Sequence, residues 1–349
     1  MADIHIRIEG RAGRITLTRA QALNALSYEM CRAIDAALRG WADDPSVALV
    51  VLDADGEKAF CAGGDIAEMY ATGRAGDFGY GRRFWADEYR MNARLAEYGK
   101  PVVSFLQGFV MGGGVGVGCH ASHRVVCETT RIAMPECAIG LVPDVGGSHL
   151  LARAPGALGA YLGLTGARMG PGDALHAGFA DMFVPQAEWE RVKQALILSG
   201  DVGVLTPSPP PEAALAAQSD LIDRVFALPD LQTIATALEA TPGDFAAEAL
   251  KALHRNAPLS LACAQAMRRN LGPDSTLRAA LAQEYRFTWR AMEHGDFLEG
   301  IRAAIIDKDR RPRWQHASLS DVTGAEVDHM LAPLGRDELE FHEIEEGRT

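Results

Sequence analysis

The chain has 349 residues, 48% of them hydrophobic and 23% charged, enough for one large buried core and a smaller appendage. A net charge of −12 argues against a nucleic-acid partner or an anionic membrane surface, since both need clustered Lys and Arg. The opening MADIHIRIEG has neither the basic and apolar regions of a secretory signal nor the Arg/Ser-rich pattern of a transit peptide, so the expected compartment is the cytoplasm.

Ile4–Glu9 and Arg14–Thr18 alternate apolar and polar residues around Gly10 and Gly13, which predicts an opening hairpin. Ser27 is placed to cap a helix running to about Trp41. A buried strand over Val47–Leu52 leads into a glycine turn, Phe60-Cys61-Ala62-Gly63-Gly64-Asp65, and a short helix begins at Ile66. Tyr80–Tyr98 carries apolar residues at helical spacing, with Gly99 as its stop. Glu88 lies within that helix, where a lone glutamate is ordinarily solvated. Strands are expected at Pro101–Leu106, His123–Cys127, Ile132–Met134 and Met182–Val184, with helices at Gly146–Ala154, Leu158–Thr165, Pro171–Ala177 and Glu188–Ser199.

This alternation predicts an α/β domain with parallel crossovers over residues 1–205, carrying the active site. Thr206–Pro211 is proline-rich and reads as a linker, and Glu212 to about Asp307 is helical in pattern. Residues 206–349 are therefore expected to form a helical C-terminal region packed on the core, ending in an acidic, frayed tail over Asp337–Arg348. Pro101–Ser122 is free of charged residues, but its six glycines and charged flanks mark buried core rather than a membrane span. The six cysteines (Cys31, Cys61, Cys119, Cys127, Cys137, Cys263) form no C-x-x-C pair and show no zinc-ligand spacing with histidine, so they are read as reduced and buried, and no metal is expected.

The chemistry concentrates in Lys100–Gly147. After the apolar run Pro101–Leu106, the amides of Gly112–Gly114 are placed at a helix N-terminus, which favours developing negative charge. The glycine turn at Gly63-Gly64 follows another strand and can bring a second donor to the same point, making an oxyanion hole. Taken alone, such turns more often serve close packing. The nearest dinucleotide fingerprint, Gly116-Val117-Gly118-Cys119-His120-Ala121, follows glycines instead of a strand. Glu136 and Asp144 each follow a proline and flank the apolar Ala138–Val142, so both can project from loops at the rim of a dry pocket. Desolvation there raises a carboxylate pKa, which suits acid–base chemistry, although each residue alone can also be a turn-capping carboxylate. A nucleophilic Cys61 or Cys137 has no neighbouring histidine in sequence to activate it.

The motifs ALNAL (Ala22–Leu26), KAFCAGGDI (Lys58–Ile66), GFVMGGGVG (Gly108–Gly116) and MPECAIGLVPDVGG (Met134–Gly147) together resemble the crotonase (enoyl-CoA hydratase/isomerase) superfamily. Within it, the Glu88-Tyr89 pair, the Asp144–Gly147 run and Asp296–Asp309 with Pro312 and Trp314 resemble the 3-hydroxyisobutyryl-CoA hydrolases, and this extends the resemblance to about Phe341. The resemblance implies a ClpP/crotonase fold, a spiral of ββα repeats in two nearly perpendicular sheets with C-terminal helices.

It also implies that Gly64 and Gly113 hold the thioester oxygen through their amides, that Glu136 is the catalytic glutamate, and that Asp144 and Glu88 bind substrate. The ADP part of CoA is expected near Ala22-Leu23 and the turn from Ala62 through Asp65 to Ile66. Hydratases of the superfamily carry a second glutamate three residues after the oxyanion glycine. Gly116 stands there, which disfavours hydration.

The implied reaction is hydrolysis of a β-hydroxyacyl-CoA thioester, such as 3-hydroxyisobutyryl-CoA in valine catabolism. Glu136 would act as general base or as nucleophile. No separate cofactor is implied, CoA being part of the substrate. An enoyl-CoA isomerase or hydratase and a non-catalytic CoA-binding protein are the alternatives. A homo-oligomer is possible, with the helical region folding over its own subunit or against a neighbour.

Overall fold

The computed structural model describes residues 3–272 and 274–341. Of the tail read above as frayed, Asp337–Phe341 is instead packed on the helical region, with Leu339 buried and Glu338 paired with Arg286, and the rest lies outside the described residues. Strand β1 (Ile4–Glu9) pairs antiparallel with β2 (Ala12–Leu17), as the alternation predicts. Ser27 accepts a hydrogen bond from the Met30 amide and caps α1 (Tyr28–Trp41). From β3 (Leu49–Ala54) onward the chain repeats one unit: a strand in a large sheet, a short strand in a small sheet, then helix.

The first unit is β3, β4 (Ala59–Cys61), α2 (Ala67–Arg74) and α3 (Gly79–Ala96). The second is β5 (Val102–Leu106), β6 (Phe109–Met111) and α4 (Gly113–Gly118). The third is β7 (His123–Val126) and β8 (Arg131–Ala133), followed by a 3-10 turn over Glu136–Ile139 and α5 (Gly147–Arg153). Helices α6 (Leu158–Thr165) and α7 (Pro171–His176), strand β9 (Met182–Phe183) and α8 (Trp189–Ser199) complete this part. The sheets run β1-β2-β3-β5-β7-β9 and β4-β6-β8, with every pair after β1-β2 parallel.

This is the expected ββα spiral. Strands β4 and β6 are additions to the sequence reading, which took them as parts of glycine turns. Three residues give too short an apolar run to show a period. The central strands β3 and β5 of the large sheet are buried on both faces. Leu49, Val51, Val103, Phe105 and Val125 pack on Trp189, Val192 and Leu196 of α8, while Val50, Leu52 and Val102 turn into the main core with Ile34 and Leu38 of α1. The period-2 alternation of strand side chains sends consecutive valines to opposite layers.

The proline-rich segment runs extended beside β9, with the Ser208 amide donating to the Phe183 carbonyl. Beyond it come α9 (Ser219–Phe226), α10 (Leu231–Glu239), α11 (Asp244–Arg255), α12 (Pro258–Asn270), α13 (Leu277–His294), α14 (Phe297–Ile301) and α15 (Gly324–Leu331). These helices share the main core: Leu281, Phe287, Phe297 and Ile301 are buried in one cluster with Trp85 and Tyr89 of α3. Each such side chain contributes about 1.5–3 kcal/mol by its burial. Two close approaches lock the helical C-terminal region onto the 3-10 turn that starts at Glu136. A Cβ on Gly300 would lie 2.0 Å from the Ile139 carbonyl oxygen, and the Ala257 amide donates to the Cys137 carbonyl at 2.9 Å.

Candidate active site

The two glycine turns expected to form one site lie side by side. Strands β4 and β6 pair in parallel, so their C-terminal ends deliver Gly63-Gly64 and Gly112-Gly113 to the same edge of the small sheet. The Gly64 amide nitrogen is 3.2 Å from the point where a Cβ on Gly113 would sit. As the first residue of α4, Gly113 has an amide with no intrahelical acceptor, and the helix dipole adds positive potential there. Gly112 has φ +49°, a conformation that L side chains rarely adopt. A Cβ on Gly112 would meet Glu136 Oε1 at 2.8 Å, and one on Gly113 would meet Glu88 Oε1 at 3.0 Å. The glycines thus let two carboxyl groups close on the backbone.

Glu136, Glu88 and Asp144 are all buried. Among the described residues Glu136 Oε2 and Glu88 Oε1 have no hydrogen-bond partner, a costly state for buried oxygens that commonly marks a functional site. Burial first, and repulsion from Asp144 second, push the Glu136 and Glu88 carboxyls well above the ordinary range. Asp144 is raised by burial to about 7, while the Tyr89 hydroxyl, donating to Oδ2 at 2.7 Å, opposes that rise. Glu88 corrects the expectation from its helix pattern. It is buried because α3 packs against α1 on one side and α13 on another.

The loop carrying Asp144 is tightly held. Val145 has φ +53°, an outlying value for a β-branched residue, and Gly146 follows at +80°. Buried His120, lowered by desolvation to about 4, is neutral and donates from Nε2 to the Val145 carbonyl at 2.8 Å. Glu284 of α13 accepts from the Gly146 amide at 2.8 Å and the Ser148 amide at 3.1 Å. Asn92, one turn after Glu88, is fully buried with both side-chain polar atoms unpartnered. It fills the room beside Gly116, where a Cβ would lie 2.8 Å from Asn92 Nδ2 and from Val145 Cβ.

Sequence reasoning missed Glu284, Asn92 and His120. Glu284 could have been found, because it falls on the apolar stripe Leu277, Ala280, Leu281, Thr288, Ala291 at helical spacing, all of it buried.

The segments expected to hold the ADP part of CoA are zipped together at the same edge. The Ala62 amide donates to the Leu23 carbonyl at 3.0 Å, Leu26 to Gly63 at 2.9 Å and Asp65 to Leu26 at 2.8 Å. Arg19 clamps Asp65 at 3.0 Å, and Ile66 lies 3.8 Å from the Cβ position of Gly64. Ala22 closes the preceding turn by donating to Arg19. A separate cavity of about 560 Å3 borders Met111 and Pro135 and is rimmed by Arg168, Arg255 and Arg310. Its outer wall is the C-terminal motif, folded around Arg302, which pairs with Glu299, Asp307 and Asp309. The Trp314 indole fastens that wall by donating to the Arg255 carbonyl.

Among the described residues no helix is long and apolar enough to cross a membrane. The enoyl-CoA hydratase/isomerase family profile matches residues 12–331. The chain is 36% identical to the mitochondrial 3-hydroxyisobutyryl-CoA hydrolase of Gallus gallus, over 97% of this chain and 91% of that protein. It is 59% identical to a crystal structure titled an enoyl-CoA hydratase from Rhodobacter sphaeroides, with TM-score 0.96, covering 97% of this chain and all of that one. A carnitinyl-CoA dehydratase from Mycobacterium thermoresistibile is 39% identical with TM-score 0.94, over 98% of this chain and all of that one.

Proposed function

The chain belongs to the enoyl-CoA hydratase/isomerase family, and from that premise we propose that it hydrolyses a β-hydroxyacyl-CoA thioester, with 3-hydroxyisobutyryl-CoA as the leading substrate. One structural observation carries the chemistry: the desolvated Glu136 carboxyl, its Oε2 without a partner among the described residues, stands beside the paired Gly64 and Gly113 turns. In the proposed reaction the thioester oxygen accepts from those two amides, each contributing on the order of 10² to 10³ in rate. Glu136 takes a proton from water as it attacks, or attacks the carbonyl itself to form an anhydride that water resolves. Either way a C–O bond forms, the C–S bond breaks, and CoA leaves as the thiol.

Asp144, held by Tyr89, accepts the acyl hydroxyl or orients the water, and Glu88 lines that end of the pocket. The zipped loops from Ala22 to Leu26 and Ala62 to Ile66 seat the nucleotide end, and the cavity rimmed by Arg168, Arg255 and Arg310 offers positive charge to CoA phosphates. The chemistry draws on no metal and no cofactor beyond the CoA of the substrate. Valine breakdown is the setting that resemblance to the hydrolases supports. Cytoplasmic residence is proposed for the chain, in contrast to relatives named as mitochondrial proteins. Assembly into a homo-oligomer is proposed as well.

Hydration of an enoyl-CoA is the second reading, and one observation favours it. Glu88 reaches the glycine turn from α3, so a second carboxyl flanks Glu136 even though Gly116 supplies none. The two readings separate in one experiment, in which CoA release from 3-hydroxyisobutyryl-CoA is followed beside hydration of crotonyl-CoA with one enzyme preparation. Thiol release without hydration is expected. Hydration without thiol release would replace the proposal with the second reading.

A further inference from the structure

Glu284 lies outside the motifs that define the site, on helix α13 of the C-terminal region, yet it is fully buried against the Asp144 loop. Its Oε2 accepts from the Gly146 amide at 2.8 Å, and its Oε1 accepts from the Ser148 amide at 3.1 Å and from the Ser148 hydroxyl. These bonds bracket the segment whose Val145 and Gly146 stand at positive φ. Residues held that way persist only where surrounding bonds over-determine them. The other anchors are Tyr89 on Asp144, His120 on the Val145 carbonyl, and the Gly147 amide on the Asp144 carbonyl at 2.7 Å.

We infer that Glu284 is a positioning residue for the reaction: a carboxyl group on α13 that holds the Asp144 loop in its reactive shape and couples the helical C-terminal region to the active site. The inference rests on the hydrolase reading above. The three donors around the Glu284 carboxyl favour its ionised form, whereas burial opposes it and brings it up to about 8. The ionisable groups facing it are Asp144 on the loop, Glu136 on the 3-10 turn and Tyr89 on α3, while His120 lies on the far side of Gly146's own Cβ position. An ionised Asp144 makes Glu284 hold its proton more tightly, and an ionised Glu284 in turn raises Glu136. An amide at 284 would turn an N–H toward the Gly146 or Ser148 amide, donor against donor, and release the loop.

The test is a double-mutant cycle on the full chain, with CoA release from 3-hydroxyisobutyryl-CoA as the readout. Glu284→Gln is expected to lower kcat/KM by about 10- to 100-fold in the wild-type background and by less than about threefold in an Asp144→Asn background. Glu284→Asp, which keeps a carboxyl able to accept from the loop amides, is expected to retain more of the activity than Glu284→Gln. Ser148→Ala removes only the hydroxyl donor and is expected to show a smaller loss with the same dependence on Asp144. It carries the test alone if Glu284→Gln does not fold. Equal losses in both backgrounds, or no loss in either, would overturn the inference. Wild-type enzyme releasing no CoA would instead overturn the hydrolase reading on which it rests.

Discussion

The Tyr89 hydroxyl donates to Asp144 Oδ2 at 2.7 Å, joining helix α3 to the loop ahead of α5 inside the protein interior. A hydrogen bond to the ionised form lowers a carboxyl pKa, so this contact restrains the rise that burial imposes on Asp144. In Tyr89→Phe the Asp144 pKa climbs above about 7. More alkaline solution is then needed to ionise it. A pH–rate profile of CoA release is expected to show the acidic limb displaced upward by on the order of 1 unit, with activity at pH 8.5 retained better than at pH 7.

Gly113→Ala tests the proposed oxyanion hole directly. Its Cβ would stand 3.2 Å from the Gly64 amide nitrogen and 3.0 Å from Glu88 Oε1, in the space assigned to the thioester oxygen. Gly113 is not at positive φ, so the backbone itself accepts alanine. The expected result is a loss of on the order of 10² or more in kcat with a melting temperature close to wild type.

Gly116→Ala probes the neighbouring position. A Cβ there is 2.8 Å from Asn92 Nδ2 and from Val145 Cβ, so overpacking is expected to cost about 1–3 kcal/mol in stability, read by denaturant unfolding. Gly116→Glu meets the same obstacle, and no gain in crotonyl-CoA hydration is expected from it.

Much of this site was legible because its parts are local. Glu136 and Asp144 each follow a proline, and Gly64 and Gly113 sit in glycine runs next to apolar strands, so composition over a few residues marks them. The contacts that make these groups act together are long-range. Glu284 touches Gly146 from 138 residues away, and Asn92 fills space beside Gly116 from another helix. Nothing within a window of ten residues encodes such meetings. The same limit explains Glu88, whose helix reads as one-sided until α13 covers its other face. Strands β4 and β6 escaped notice for a different reason: three residues cannot display a period of two.

Stability and activity are expected to oppose each other at Glu88. Burial raises its carboxyl pKa in the fold, so the folded chain holds that proton more tightly than the unfolded one. The resulting stabilisation is complete below about pH 4.3, the unfolded value, and is lost as pH rises through the folded value. Glu88→Gln removes that loss. Its melting temperature relative to wild type is therefore expected to increase between pH 5 and pH 8, by on the order of 2 °C or more, while CoA release falls.

The measurement that bears most directly on the whole account is CoA release from 3-hydroxyisobutyryl-CoA by wild-type enzyme and Glu136→Gln, followed with a thiol reagent under the same conditions. Glutamine keeps the shape of the side chain beside Gly112 and removes its capacity as base or nucleophile. The account predicts rapid release by the wild type and a fall of about 10² to 10⁴ in the variant, with folding intact. A variant that released CoA at the wild-type rate would contradict it.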